Sequence, residues 1–272
     1  MNVGKVLVSL TFDDALEAHL DNAMPALEVH GLHGTFYLNL GSPAFAARQR
    51  DWVAAAKRGH ELGNHTIFHP GVSTKVWVTP GIALEHYNLD RMRQELAVAN
   101  RWLQALDGRE RRSFAFPCSN PWLGEHGWPR RLLARLGLDR TRVAGWIDRS
   151  GLDFGSRRLD YTPVARELFV AARCGGIAPD SLPALPEDWH RVRAVDGDGA
   201  DLSSLRSALE TAVGRTRWAV FVFHGVGGGH RLNVERETFA SFCADLANDP
   251  RVEVLPFIDA ELRLGAKEPR LA

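Results

Sequence analysis

The sequence is poor in cysteine and has no excess charge of either sign. Its 272 residues include only Cys118, Cys174 and Cys243, which are too few and too scattered for a disulfide framework or a cysteine-based zinc site. Basic and acidic residues each total 33, so the formal net charge is zero. Binding to nucleic acid or to a membrane surface therefore has no electrostatic support. No apolar run approaches the length of a transmembrane helix.

The remaining composition is that of an ordinary globular protein, with 45% hydrophobic and 24% charged residues. The length allows one large domain with a sizeable core. No internal repeat, low-complexity tract or interdomain linker is visible, so we predict a single domain over residues 1–272. The first five residues lead directly into an apolar segment and leave no room for a signal peptide, which favours a cytoplasmic location.

Strand-like and helix-like patterns alternate along the chain. The predicted strands are residues 5–11, 34–40, 61–64, 113–117, 168–173, 218–223 and 252–255. The predicted helices are residues 20–30, 48–58, 89–106, 128–136, 161–168, 202–213, 235–246 and 257–264. Residues 71–84, 120–127 and 178–199 are predicted to be loops. This alternation predicts an α/β fold with a parallel sheet, and about seven units predict a barrel.

A pair of histidines, His65 and His69, is the first sign of a functional site. Residues four apart share one side of a helical turn, so both imidazoles could face one ion. An acidic pair, Asp13-Asp14, ends the first predicted strand. Two imidazoles and one carboxylate are the ligands of an open catalytic zinc site, and a second carboxylate supplies a base. Read alone, the aspartates could equally cap a turn or a helix.

Other chemically capable residues also stand at the ends of predicted strands. They are Pro117-Cys118, Arg173 and His224. In a parallel barrel the carboxyl ends of the strands share one rim, and active sites form there. We therefore expect these residues to converge with the aspartates and the histidine pair.

Three motifs resemble, in type and order, those of the polysaccharide deacetylase family, carbohydrate esterase family 4. They are Thr11-Phe12-Asp13-Asp14, His65-Thr66-Ile67-Phe68-His69 and Phe223-His224-Gly225. The resemblance spans nearly the whole chain. It implies a distorted (β/α)-barrel of about seven parallel strands and metal-dependent removal of acetyl groups from sugars. Imidazole and carboxylate ligands suit Zn²⁺ best, and Co²⁺, Ni²⁺ or Fe²⁺ also use them.

The resemblance further implies a role for each motif residue. The metal ligands would be Asp14, His65 and His69. Asp13 would be the general base, and His224 the general acid that protonates the leaving group. The backbone N–H of Cys118 would stabilise the oxyanion, and the preceding Pro117 would contact substrate.

The third motif of this family usually reads Arg-x-Pro-Tyr, and its arginine orients the base. Here the segment 115–118 places alanine at the arginine position and cysteine at the aromatic one. A base without its cation would be poorly oriented. We predict that Arg173 supplies the guanidinium from another strand end, within about 6 Å of Asp13.

The substrate pocket is the least specified part of the pattern. The family's fourth motif, an Asp-Trp pair that lines the acetyl pocket, has two candidate positions, Trp146 and Asp188-Trp189. His230, in the glycine-rich loop that follows His224, is a further candidate to reach substrate. The expected partner is an acetylated sugar or oligosaccharide, with no nucleic acid and no membrane.

Three classes of function stay open at this point. The first is a metal-dependent deacetylase acting on N- or O-acetylated carbohydrate. The second is a related amide or imide hydrolase acting on a small nitrogen compound, because the same metal chemistry opens any activated carbonyl. The third is a catalytically silent sugar-binding homologue. The presence of both Asp13 and His224 argues against the third, because a binding site needs neither.

Overall fold

The computed structural model describes residues 5–138 and 141–265, apart from the side chains at positions 148 and 149. Residues 1–4 and 266–272 of the predicted domain lie outside this part of the chain, so its full extent stays a prediction. The strands of the described residues are β1 (Val6–Asp13), β2 (Thr35–Leu38), β3 (Glu61–Asn64), β4 (Ser113–Ala115), β5 (Trp122–Leu123), β6 (Leu159–Asp160), β7 (Ala171–Gly176), β8 (Val192–Asp196), β9 (Trp218–Phe223), β10 (Gly225–Val226), β11 (Asn233–Val234) and β12 (Val252–Val254).

Seven of these strands close a parallel barrel. Their order is β1-β2-β3-β4-β7-β8-β9, and β9 pairs back with β1. The eighth strand of the sheet, β12, pairs with residues 6–8 of β1, while β2 pairs with residues 11–13 of the same strand. Two strands thus share one edge of β1, which makes the barrel irregular there. The predicted (β/α)-barrel of about seven parallel strands is confirmed.

The α-helices of the described residues are α1 (Met24–Glu28), α2 (Pro43–Ala47), α3 (Gln49–Lys57), α4 (Leu89–Asp107), α5 (Trp128–Arg135), α6 (Arg142–Ser150), α7 (Thr162–Leu168), α8 (Leu202–Arg215), α9 (Arg236–Asn248) and α10 (Phe257–Gly265). A π-helical turn, His19–Ala23, precedes α1. The longest helix, α4, begins where the Asn88 side chain accepts the Arg91 N–H (2.8 Å) and ends at the left-handed Gly108. None of these helices is long and apolar enough to cross a bilayer.

Aromatic packing determines where the first motif leaves the barrel. Phe12 is fully buried and stacks on Phe36 (centroids 4.7 Å apart) and on Phe223 (5.7 Å). A buried aromatic side chain removes roughly 150–250 Å² of surface from water. Because Phe12 directly precedes Asp13, this packing fixes the position from which the two aspartates project.

The amino-terminal end of the barrel is closed by α10. The buried Glu61 carboxylate accepts the Ile258 N–H (2.9 Å) and the Thr35 hydroxyl (2.7 Å), and the Thr35 oxygen accepts the Phe257 N–H (2.7 Å). These contacts satisfy N–H groups that the first turn of a helix cannot use internally. The carboxyl end of the barrel is therefore the end that stays open.

Three predicted segments are wrong. Residues 178–199, predicted to be a loop, contain β8, and residues 120–127 contain β5, which pairs with β6. The strand predicted at 168–173 begins at Ala171 and continues to Gly176. Arg173 therefore lies within β7 and not at its end. The alternation of apolar and polar residues in β8 covers only five residues and follows a proline-rich stretch. The sequence pattern therefore does not reveal this strand.

Candidate active site

His65 and His69 converge through the irregular loop that follows β3, and not through a helical turn. Thr66 and His69 both adopt left-handed backbone conformations (φ 68° and 48°). The Asn64 side chain accepts the Thr66 N–H (2.8 Å), and the Thr66 hydroxyl accepts the His69 N–H (2.9 Å). These two local hydrogen bonds turn the chain back on itself as β3 ends. The imidazole centroids consequently lie 4.9 Å apart.

A buried carboxylate on α4 holds the outer side of this loop. One oxygen of Glu95 accepts the N–H groups of Ile67 (3.1 Å) and Phe68 (3.0 Å), and the other accepts the Tyr87 hydroxyl (2.8 Å). The sequence analysis missed Glu95. Its signal was an acidic residue within the otherwise apolar stripe of α4, where a carboxylate needs buried partners.

Asp14, His65 and His69 bring their side chains to one point. Asp14 Oδ1 lies 3.3 Å from His69 Nε2 and 3.6 Å from His65 Nε2, and one ligand atom from each residue lies within 4.8 Å of the others. The His65 Nδ1 lies 2.8 Å from the Ala115 carbonyl oxygen, which assigns the proton to Nδ1 and the lone pair to Nε2. Burial lowers the pKa of His65 to about 4. A neutral imidazole is the state that binds a metal, so this donor set fits a divalent cation.

Strained backbone is concentrated around this cluster. The non-glycine residues with positive φ in the described chain are Asp14, Ala15, Thr66, His69, Cys118 and Ser119. All six follow β1, β3 or β4 at the same end of the barrel. Such conformations cost on the order of 1–3 kcal/mol each and persist where the surroundings impose them. The loops of this rim are therefore shaped to aim side chains at one site.

Asp13 lies beside the cluster of Asp14, His65 and His69 and pairs with Arg173. Nη2 of Arg173 donates to both carboxylate oxygens of Asp13, and the two side chains are only 2% and 7% exposed. The distance is therefore well inside the predicted limit of about 6 Å. Burial alone would raise the pKa of Asp13, but the guanidinium and the nearby His65 outweigh it and hold that pKa well below its usual range. Asp13 is an ionised carboxylate at neutral pH.

His224 follows β9 and pairs with Asp198, a residue that the sequence analysis missed. The Asp198 carboxylate accepts the His224 backbone N–H (2.9 Å) and its Nδ1–H (2.5 Å). Burial alone would lower the pKa of His224, but Asp198 and the nearby Asp13 raise it to about 9. The imidazole therefore carries a proton at neutral pH and keeps Nε2 for other partners. The feature of the sequence that could have identified Asp198 is the turn-forming segment 196–199, which follows the short apolar alternation of β8.

Comparison with known proteins places this chain in a family. The sequence model of the family described as polysaccharide deacetylase matches residues 1–136, half of the chain. The chain belongs to the polysaccharide deacetylase family. A search of curated protein sequences gives no match.

Solved structures of carbohydrate esterase family 4 share the fold. One is the domain of this family in a multidomain xylanase from the hindgut metagenome of Trinervitermes trinervoides (11% identity, 96% of this chain and 92% of that chain covered, TM-score 0.52). Another is an acetyl xylan esterase from Clostridium thermocellum in complex with cobalt (15%, 95% and 92%, 0.50). A third is a pseudoenzyme from Bacillus anthracis (15%, 95% and 66%, 0.50). At these identities the likeness concerns the fold.

The third motif of this chain has alanine where the deacetylase family has arginine, and an arginine lies beside that position on the neighbouring strand. Ala115, at the position of the motif arginine, is the direct partner of Arg173 in the register of β4 and β7. Paired residues of neighbouring parallel strands project from the same face of the sheet. Arg173 thus reaches Asp13 from the adjacent strand at the same level of the barrel, with its guanidinium 5.3 Å from the Tyr37 ring centre.

Asp13, Asp14, His65, His69 and His224 line one cavity of about 620 Å³. Cys118 also lines it, exposed and left-handed (φ 51°), and its backbone N–H donates to no acceptor among the described residues. Pro117 is buried and is not among the residues that line the cavity, and its substrate contact stays a prediction. His230 does line the cavity and stacks on His224 with ring centroids 5.1 Å apart.

Neither tryptophan predicted for the fourth motif lies at the cavity. Trp189 packs on Trp218 (5.8 Å), the first residue of β9, at the opposite end of the barrel. Trp146 lies on α6, is 55% exposed, and does not line the cavity. Flanking residues in the sequence do not reveal which end of the barrel a tryptophan faces, and both assignments stay predictions. The aromatic rings at the cavity are Phe68 and Trp77, which are 52% and 42% exposed.

Proposed function

We propose that this chain is a metal-dependent deacetylase that removes acetyl groups from N- or O-acetylated carbohydrate. The observation that carries the proposal is that two groups of one cavity are each held by a partner of opposite charge, Asp13 by Arg173 and His224 by Asp198. Asp13 is ionised beside the three metal-binding side chains, and His224 is protonated by its pairing with Asp198. A base and an acid held ready at neutral pH are what hydrolysis of an amide or ester requires.

Asp14, His65 and His69 would hold the metal ion, and zinc is the ion that their donor set suits best. Cobalt, nickel and iron(II) accept the same donors. A bound divalent ion supplies the Lewis acidity that activates water and polarises a carbonyl.

The remaining steps belong to residues of the chain. Asp13 accepts the proton of the attacking water, and Arg173 keeps its carboxylate ionised and oriented. The Cys118 N–H donates to the oxygen of the acetyl carbonyl as negative charge develops there. His224 donates its Nε2 proton to the departing amine or alkoxide. The exposed rings of Phe68 and Trp77 offer apolar faces against which a sugar ring packs.

The site argues against a silent sugar-binding homologue. One structural relative is a pseudoenzyme, so membership of the fold does not by itself imply catalysis. A binding protein has no use for a carboxylate buried with its own arginine, or for a histidine that a second carboxylate keeps protonated.

The test is acetate release by chelator-treated and zinc-reloaded protein from N-acetylglucosamine oligomers, acetylated xylan and small acetyl esters. Asp13→Asn removes the base, and Asp180→Asn, at an exposed position away from the cavity, is the matched control. We expect zinc-dependent acetate that is lost in Asp13→Asn and kept in Asp180→Asn. Zinc binding without acetate from any substrate would refute the deacetylase and favour a hydrolase of small amides or imides.

A further inference from the structure

The π-helical turn His19–Ala23 follows the acidic pair at the end of β1 and contacts the segment that follows β9. The His19 Nε2 lies 2.7 Å from the backbone carbonyl oxygen of His224. The Asn22 amide donates to the carbonyl oxygen of Val226 (2.8 Å). Single π-helical turns are rare and occur frequently at functional sites. This turn joins the loop after β1 to the segment after β9.

The other imidazole nitrogen decides the direction of the bond between His19 and His224. Nδ1 of His19 accepts the Leu16 N–H (3.2 Å) and therefore carries no proton. His19 is fully buried, and burial lowers its pKa to about 4, so the ring is uncharged at neutral pH. The single proton of the uncharged ring is then on Nε2, which donates it to the His224 carbonyl oxygen.

The carbonyl that His19 holds belongs to the first residue after β9. Phe12 and Phe223 are direct partners in the register of β1 and β9, so the acidic pair and His224 leave the barrel side by side. Asp198 accepts the backbone N–H and the Nδ1–H of His224, and His19 donates to its backbone carbonyl. The polar groups of His224 other than Nε2 are thus all engaged.

The glycine-rich loop that follows β10 packs closely on the same turn. Gly227 and Gly229 adopt left-handed conformations (φ 66° and 82°). A Cβ at Gly229 would lie 3.0 Å from the Ala18 Cβ, and a Cβ at Gly227 would lie 3.3 Å from the Asn22 amide nitrogen. Side chains at these two positions would push the loop away from the turn. The turn and the segment after β9 are therefore built to lie in contact.

We propose that His19 is a positioning residue, which fixes the general acid His224 relative to the base by holding the His224 backbone carbonyl. The inference rests on the proposed function, because it assigns a support to the acid of that reaction. The competing explanation is packing alone, since the His19 ring also lies 5.6 Å from the rings of Phe12 and Phe36. The two differ in one consequence. A displaced acid slows the departure of groups that need a proton and has little effect on groups that leave without one.

Two substitutions of His19 separate its two hydrogen bonds. Asparagine places its amide near the position of Nδ1, so it keeps an acceptor for the Leu16 N–H and loses the donor to His224. Glutamine is one methylene longer, so it places an amide N–H near the position of Nε2 and keeps that donor. The matched control is His60→Asn, because His60 is also fully buried and its Nδ1 also accepts a backbone N–H, that of Gly34 (3.1 Å).

The assay compares kcat of the zinc-loaded proteins for two kinds of acetyl substrate. One is the acetylated sugar that the wild type deacetylates best, whose amine or alkoxide needs a proton to leave. The other is 4-nitrophenyl acetate, whose phenolate leaves without one. In His19→Asn we expect kcat to fall about tenfold or more for the sugar and less than about threefold for the aryl ester.

The other variants complete the comparison. His19→Gln should keep most of the activity on the sugar, and His60→Asn should change kcat for both substrates by the same factor. The proposal is overturned if His19→Asn loses equal activity on both substrates or none, or if His19→Gln is no more active on the sugar than His19→Asn.

Hydrogen exchange of the His224 amide separates this inference from the proposed function, because the measurement needs no turnover. That N–H donates to Asp198 and is protected while the segment after β9 is held in place. Relative to amides of β1 in the same protein, its exchange should be about fivefold or more faster in His19→Asn and unchanged in His19→Gln and His60→Asn. This result supports the positioning of His224 even if no sugar is deacetylated. An unchanged exchange rate in His19→Asn overturns it.

Discussion

Substituting Arg173 by methionine tests how this chain replaces the arginine missing from its third motif. The guanidinium is 2% exposed and contacts both oxygens of Asp13. Methionine keeps an unbranched chain of similar length and removes the charge and the hydrogen bonds. The result is a buried Asp13 carboxylate without its cation.

Breaking a buried ion pair from one side costs about 3–5 kcal/mol of folding free energy. In a chain of this size 1 kcal/mol corresponds to roughly 2–4 °C in Tm, so Arg173→Met should lower Tm by about 10 °C. The base also loses its orientation, and general base catalysis contributes about 10²–10⁴ in rate. We therefore expect kcat to fall about 100-fold or more while the zinc content stays unchanged, because Arg173 contacts none of the three ligands.

A double-mutant cycle with Asp13→Asn separates the ion pair from simple loss of packing. The double variant carries no unpaired charge, so its loss of stability should be smaller than the sum of the two single losses by about 1–3 kcal/mol. Arg173→Lys, which keeps the charge without the paired N–H donors, should fall between wild type and Arg173→Met. If Arg173→Met melts within about 2 °C of wild type and the cycle shows no coupling, Arg173 does not replace the missing arginine.

Three further predictions follow from the same geometry. Asp198→Asn should lower the pKa of His224 from about 9 and move the alkaline limb of the pH–kcat profile to lower pH. Its Tm deficit should be largest below about pH 6.5 and shrink as the pH rises through about 9, because a raised histidine pKa stabilises the fold only while the proton is bound. Glu95→Gln should weaken zinc binding about 10–100-fold in competition with a chelator, because the loop that carries His69 loses a charged acceptor. Gly63→Ala should destabilise the fold by about 1–3 kcal/mol in denaturant unfolding, because the new Cβ overlaps the buried Tyr37 ring.

The last two predictions have matched controls in the chain. Glu167→Gln alters an exposed carboxylate that pairs with Arg93 and should leave zinc affinity unchanged. Gly214→Ala, near the carboxyl end of α8 and with no atom of another segment within 4 Å of its added Cβ, should leave the fold at least as stable as the wild type. Equal changes of zinc affinity in Glu95→Gln and Glu167→Gln would contradict the first prediction, and equal changes of stability in Gly63→Ala and Gly214→Ala would contradict the second. An alkaline limb that does not move in Asp198→Asn would contradict the role of Asp198.

Local patterns in the sequence determined the barrel and the identity of its candidate site residues. Alternating apolar and amphipathic segments specify strand and helix locally, and parallel strands bring their carboxyl ends together whatever the details of packing. Asp13, Asp14, the histidine pair and His224 could therefore be placed on one rim before any distance was known.

Only the tertiary structure decided how these residues are held and charged. Asp13 meets Arg173 across 160 positions of sequence, and His224 meets Asp198 across 26. The register of β4 and β7 determines the first contact. The position of β8, a strand that follows a proline-rich stretch, determines the second. The loop from His65 to His69 depends on left-handed residues that carry a Cβ, which no periodic pattern reveals. Protonation states follow from such distant neighbours, because burial and Coulomb interactions depend on distance in space and not on position along the chain.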